Sequence, residues 1–148
     1  MNSAVLKTLS LVGLLVMFAG LVGLYQAHSL FSWSPLTIAL QAAAIALMLW
    51  ARVTFGTRSF HASADPTAGG LVDTGPYHYI RHPIYTAVCL YGLGGIVAHP
   101  SVLSAVFGAV LLLGSLTRML CEEHLLRQAL PAYTAYASVT KRMIPYVF

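Results

Sequence analysis

At 148 residues the chain has room for one domain, and 58% of those residues are hydrophobic against only 8% charged. Soluble domains carry about 25% charged residues, so this composition excludes a soluble globule and points to an integral membrane protein. The net charge of +4 comes from basic residues scattered singly, which excludes the clustered patch of a nucleic-acid binder.

In chain order, residues 4–25 form an apolar run with one charge, Lys7, near its start. A cleaved signal peptide is the rival reading, but its apolar region runs about 7–15 residues. This run is longer and has no clean small-x-small site, so a retained first transmembrane helix is expected. Gln26 to Ser34 reads as a polar turn, and Pro35 suits the first turn of the next helix. Residues 35–53 make a second span, close to the roughly 20 residues that cross the hydrocarbon layer. Residues 54–81 break the pattern with Gly56, Pro66, Gly69, Gly70, Gly75 and Pro76 among polar residues that include Asp65 and Asp73; this is a loop. A third span is expected over 82–98, a tight turn at His99-Pro100-Ser101, and a fourth span over 101–118. That last helix has no stop signal and is expected to continue to about Leu130, opening a tail of residues 119–148. In the tail, Tyr133, Tyr136, Val139, Met143 and Ile144 recur at roughly helical spacing. Cys89 and Cys121 lie in or beside apolar runs, so no disulfide framework is implied.

The charges order these elements. Four spans put the N-terminus, the 54–81 loop and the tail on one side. All eight basic residues (Lys7, Arg52, Arg58, Arg81, Arg118, Arg127, Lys141 and Arg142) and all four acids map there. By the positive-inside rule both termini are cytoplasmic. Gly75 to Tyr85 then stands out, with three tyrosines, two histidines, an arginine and two prolines in eleven positions. Within it Tyr77 and Arg81, and His78 and His82, are four apart, while His82 and Tyr85 are three apart, spacings that share a helix face. Arg118 and Glu122 are also four apart. A turn at 99–101 forces the third and fourth spans into an antiparallel hairpin, which brings His82 and Tyr85 level with Arg118 and Glu122.

Blander readings exist for each residue. Arg81 and Arg118 fit interfacial anchors that snorkel to headgroups. The tyrosines fit an aromatic belt, Tyr79 above all. Glu122 and Glu123 fit a solvated helix end paired with Arg118 and Arg127. His28, His61 and His99 stand alone. The spacing of His78, His82, Glu122, Glu123 and His124 matches no closed zinc pattern, so no metal is expected.

Two segments carry a family resemblance. Leu71-Val72-x-Thr74-Gly75-Pro76-Tyr77-x-x-x-Arg81-His82-Pro83-x-Tyr85 is followed by Arg118-x-x-x-Glu122-Glu123, Leu125, Leu130, Tyr133, Tyr136, Val139, Arg142 and Pro145. Together they resemble the isoprenylcysteine carboxyl methyltransferase and phospholipid methyltransferase superfamily. The resemblance implies a single all-α membrane domain over 1–148, four transmembrane helices, and a loop and tail covering a site for S-adenosylmethionine. It implies that Leu71 and Val72 line the adenosine pocket and that Tyr77, Arg81, His82, Pro83, Tyr85, Glu122 and Glu123 surround the cofactor. Arg118 matches the catalytic position that faces the acceptor, and Arg142 a basic tail residue that helps bind substrate and close the site. This short chain lacks the additional helices of the eukaryotic enzymes, which points to a bacterial inner-membrane protein with a lipid-like or small apolar acceptor. The partners expected are the bilayer and that acceptor. Two other classes stay open: an NADPH-dependent reductase of the sterol reductase type, which shares a similar H-P-x-Y stretch, and a non-catalytic membrane protein. The residues do not indicate an oligomeric state, because Ala19, Gly20 and Gly23 suit packing within or between chains.

Overall fold

A computed structural model describes residues 2–56 and 70–148. Arg58, His61, Asp65, Pro66 and Gly69, expected in the polar loop, lie outside the described residues. Among the described residues five α-helices follow in order: α1 (Ser3–Gln26), α2 (Pro35–Phe55), α3 (Pro83–Ala98), α4 (Val102–Ala129) and α5 (Tyr133–Val139), with a 3₁₀ turn at Gly75–His78 before α3. Helices α1, α2 and α4 are long and apolar enough to cross a bilayer, whereas α3 is apolar but has only 16 residues. The third span expected over 82–98 is therefore shorter than full crossing length, because the prolines at 76 and 83 divert the preceding chain into a 3₁₀ turn. Tyr77 and His78 belong to that turn, so they do not share an α-helical face with Arg81 and His82 as their spacing suggests.

The helices form two nested antiparallel pairs, α1 with α4 and α2 with α3, the former the more extensive. On α1 the buried positions Leu6, Ser10, Gly13, Met17, Gly20 and Leu24 alternate in steps of four and three. Facing them on α4, Leu111, Gly114, Arg118, Cys121 and Leu125 do the same. That seven-residue period is the seam of a left-handed pair. Hydrocarbon offers no hydrophobic drive for helices to associate, so close approach of small residues supplies the attraction. Gly20 illustrates it: a Cβ there would lie 2.5 Å from the Leu111 backbone nitrogen. Both Gly20 and Gly23 are thus used within the chain. The glycines at 92 and 94 serve the same purpose on α3, facing Leu111 and the pair Leu40 and Gln41.

Polar contacts set the second pair. Thr37 Oγ1 donates to Gly94 O at 2.9 Å, and Gln41 Nε2 to Leu30 O at 2.6 Å. At the same end, the turn at 99–101 ends α3 and starts α4 with a reciprocal Ser101–Ser104 capping box. The described basic residues and acids all lie at the opposite end. There α4, at 28 residues and 1.5 Å per residue, is about 42 Å long against a hydrocarbon core of about 30 Å. Its last turns extend beyond the apolar layer, as expected from the missing stop signal.

The tail departs from expectation. Helix α5 ends at Val139, which is exposed, and Ile144 is exposed too. Residues 140–143 leave the helix and run alongside the chain before α3, with a single bridge at Lys141: Arg81 N donates to Lys141 O at 2.7 Å and His82 N to Arg142 O at 2.9 Å. The helical spacing from Tyr133 to Ile144 therefore spans two structures. Pro145 and the turn in which Met143 N and Ile144 N both donate to Phe148 O end regular helix early.

Candidate functional site

Two carboxylates at the end of α4 organise the charged end, and they have different jobs. Glu123 is buried and saturated. Its Oε1 accepts from Arg81 Nε at 2.9 Å and lies 3.4 Å from His82 Nε2. Its Oε2 accepts from Arg142 Nε and NH2, both at 3.2 Å, with Arg127 NH2 at 3.9 Å. Arg81 is itself committed, its NH1 donating to the carbonyls of Ala137 (3.0 Å) and Thr140. Together these bonds tie the 3₁₀ approach, the end of α4 and the tail into one brace. Charge-assisted bonds of this kind are roughly twice as strong as neutral ones.

Glu122 is more open, its side chain 20% exposed against 4% for Glu123. Its Oε1 accepts from Tyr85 OH at 2.6 Å and lies 3.1 Å from Arg118 Nε. Among the described contacts its Oε2 meets only His82 Nδ1, at 4.0 Å. Arg118 Nε donates to Tyr85 OH at 2.6 Å, so that hydroxyl is relayed between the guanidinium and the carboxylate. The Tyr85 and His82 rings stack at 5.7 Å. Arg118 is buried, hence not a snorkelling anchor, and Glu123 is not a solvated helix end. The i,i+4 pairs Arg118–Glu122 and Glu123–Arg127 do form.

The approach to α3 holds the aromatic side. Gly75 turns the chain at φ +57, where a Cβ would stand 2.5 Å from Thr54 Oγ1 at the end of α2; glycine alone combines that conformation with that proximity. The turn lays Tyr77 against Phe55, ring centroids 5.4 Å apart, and Tyr136 OH of α5 donates to Tyr77 O at 2.6 Å. Burial, reinforced by Tyr136, pushes the Tyr77 phenol well above its ordinary range. Burial likewise raises Tyr136 to about 12, against an opposing pull from Arg81. Tyr133 is raised by burial and then by Glu123. These phenols are neutral at physiological pH; Tyr136 acts as a donor and the three rings as aromatic walls, while the buried Tyr133 hydroxyl has no hydrogen-bond partner among the described residues.

Of the residues singled out from sequence, His82, Tyr85, Arg118, Glu122, Glu123, Arg81 and Arg142 come together. Pro83 is the buried first residue of α3, with His82 at the N-cap position but making no side-chain cap bond. Leu71 and Val72 are half-buried in the stretch leading to the 3₁₀ turn, and Tyr77 forms the wall on the α2 side. His78 and Tyr79 are exposed, edge to face with each other, outside the cluster. Sequence reasoning missed Thr140, Tyr136 as a brace on Tyr77, and Ser10 of α1, whose carbonyl lies 3.5 Å from Arg118 NH1. For Ser10 a signal existed in the three-seven-three spacing of the small residues Ser10, Gly13, Gly20 and Gly23 on α1.

Comparison with curated proteins and with solved structures gave no match. The model of the isoprenylcysteine carboxyl methyltransferase (ICMT) family matches residues 33–128, from the start of α2 nearly to the end of α4. That region includes Tyr77, His82, Tyr85, Arg118 and both glutamates, and it leaves out α1 and α5; the chain belongs to the ICMT family of methyltransferases.

Proposed function

We propose that this protein is an integral membrane methyltransferase that uses S-adenosylmethionine and methylates a lipid-like or small apolar acceptor at the cytoplasmic face of the membrane. The observation that carries this reading is the division of labour between Glu123, consumed by the brace, and Glu122, which keeps one oxygen without a hydrogen bond among the described contacts. The residues present suit the cofactor's chemistry. A carboxylate with spare acceptor capacity suits an ammonium group or ribose hydroxyls. The stacked His82 and Tyr85 rings and the wall of Tyr77 suit a nucleoside and a cationic sulfonium, with Leu71, Val72 and Pro83 completing the pocket. Of the two glutamates, Glu122 is assigned to the cofactor. Arg81 and Glu123 serve it by holding the tail over the site, and Arg142 closes that brace.

When bound, the sulfonium supplies an already activated methyl group, so the protein's part is alignment and exclusion of water. Arg118 takes the acceptor. Its Nε is used by Tyr85 and Glu122, and a guanidinium fork holds an anionic group in a fixed plane as lysine could not. The Tyr85 hydroxyl couples the two halves of the site, since it touches both Arg118 and Glu122. The single domain spans residues 1–148 and crosses the bilayer four times, with α3 as the short crossing. Both termini face the cytoplasm of a bacterial inner membrane.

Calorimetry on detergent-solubilised protein tests the assignment. S-adenosylhomocysteine should bind, Glu122→Gln should weaken it at least tenfold, and NADPH should not compete. Binding of NADPH alone would favour the reductase, and binding of neither by folded protein a non-catalytic role. A methyl-transfer screen over prenylated thiols, fatty acids and lipid amines then identifies the acceptor.

A further inference from the structure

The first helix lies outside the region matched to the family, yet it touches the residue assigned to the acceptor. Arg118 falls on the α4 seam, at a position that elsewhere in the pair holds Leu111, Gly114, Cys121 and Leu125. A guanidinium there faces α1 instead of water. Gly13 lets the α4 backbone that carries it come close: a Cβ at that position would stand 3.0 Å from Arg118 N, 3.0 Å from Gly114 O and 3.3 Å from Arg118 Cβ. One turn earlier, Ser10 is fully buried, and its carbonyl oxygen lies 3.5 Å from Arg118 NH1, a long but directed contact. The Ser10 hydroxyl is itself buried without a partner among the described residues, which leaves the carbonyl as the contact that α1 offers. Tyr85 from α3 and Glu122 from α4 hold the Nε edge. Helix α1 holds the other.

We propose that α1 is the third wall of the acceptor site, with Gly13 and Ser10 as positioning residues that fix the Arg118 guanidinium against Tyr85 and Glu122. This rests on the assignment of Arg118 to the acceptor. The tolerances match. A site group must sit within about 0.5 Å of its working geometry, and a methyl at position 13 asks the α4 backbone at Gly114 and Arg118, and Arg118 Cβ with it, to give by a few tenths of an ångström. The seam thus transmits the smallest possible side-chain change to the turn of α4 that carries Arg118.

Gly20 provides the control. It lies seven residues along the same seam, about 10 Å away at 1.5 Å per residue, and a methyl there meets the Leu111 backbone at 2.5–2.8 Å. Gly20→Ala is therefore the harsher packing change and the more distant from Arg118. The experiment compares wild type, Gly13→Ala and Gly20→Ala in detergent, reading solvent exchange of the Arg118 Nε–H by nitrogen-15 NMR. The resonance is assigned by its loss in Arg118→Lys. Gly13→Ala should speed that exchange at least tenfold. Gly20→Ala should change it less than twofold while lowering the melting temperature more. Gly23→Ala, whose methyl meets the movable Phe107 ring, replaces it if Gly20→Ala does not fold. Equal exchange in all variants, or exchange that follows the melting temperature, overturns the proposal. Calorimetry with S-adenosylhomocysteine on the same samples separates the two readings: no binding by wild type refutes the methyltransferase assignment whatever the exchange data show. Binding retained within threefold in Gly13→Ala is expected, and its loss with Arg118 exchange unchanged overturns the role given to α1.

Discussion

Replacing Glu123 by glutamine removes the charge that joins the tail to the helices while keeping the side chain's size and one acceptor oxygen. Breaking a buried ion pair by removing one partner costs about 3–5 kcal/mol. Two features reduce that figure here. Arg81 keeps its bonds to the Ala137 and Thr140 carbonyls, and Arg142 and Arg127 are 33% and 45% exposed, so water compensates them. The deeply buried Arg81–Glu123 contact dominates, and a loss of about 2–3 kcal/mol is expected. At roughly 2–4 °C per kcal/mol for a chain of this size, the melting temperature in detergent should fall by about 5–10 °C. Limited proteolysis gives the structural readout: the bonds from Arg81 and His82 to Lys141 and Arg142 should open first, so cleavage near residues 139–142 should accelerate well before the helices unfold. Glu122→Gln, with its partner oxygen more exposed, should lower the melting temperature much less. A Glu123→Gln protein that melts within about 2 °C of wild type with its tail still protected would refute the brace.

Further outcomes follow from the same geometry. Tyr85→Phe removes the hydroxyl shared by Arg118 and Glu122 and should cost about 1–2 kcal/mol, measured by thermal unfolding, while lowering turnover more than cofactor binding; unchanged turnover would argue against the relay. Gly75→Ala meets a positive φ and Thr54 together and should destabilise by about 1–3 kcal/mol, read from the same melts. Because Tyr136 is raised from 10.0 to about 12, the unfolded chain ionises first. Stability contributed by its neutral phenol is complete below pH 10 and is lost as pH rises towards 12. Tyr136→Phe should flatten that decline, which an alkaline unfolding series would detect. Reporter fusions should find both termini on the cytoplasmic side, and a reporter active only on the opposite side at either end would refute the four-crossing topology.

Much of the site was legible because chemistry-bearing residues are rare in an apolar sequence. His82, Tyr85, Arg118 and Glu122 stand out against leucine and alanine, and the turn at 99–101 dictates that they meet. Helix limits were legible for the same reason, to within a residue or two. What was not legible lay where periodicity misleads. Through their apolar lengths α1 and α4 are hydrophobic all round, so the buried seam is marked by Gly13, Gly20 and Gly114 more than by any contrast in polarity, and Arg118 reads as an end-of-span anchor until Gly13 is seen opposite it. Tyr133 to Ile144 keep a helical rhythm across a helix and a non-helical strap, since local spacing carries no trace of the backbone bonds that Lys141 and Arg142 make with residues 81 and 82. The partition between Glu122 and Glu123 was equally hidden. Neighbouring glutamates are identical in sequence, and only the arrival of Arg81 and Arg142 distinguishes them.

The nesting of α2 and α3 inside the α1–α4 pair imposes an order on assembly. During synthesis the inner pair can form as soon as residue 98 has been made, but Gly13 of α1 must wait for Arg118 of α4, roughly a hundred residues later. Until then its glycine face contacts lipid, and neither the guanidinium nor the glutamates exist to receive it. The charged end, where Arg118 meets α1 and Glu123 meets the tail, is thereby the last part to assemble. A chain that stopped before α4 would hold the α2–α3 pair alone and lack Arg118, Glu122 and Glu123 altogether.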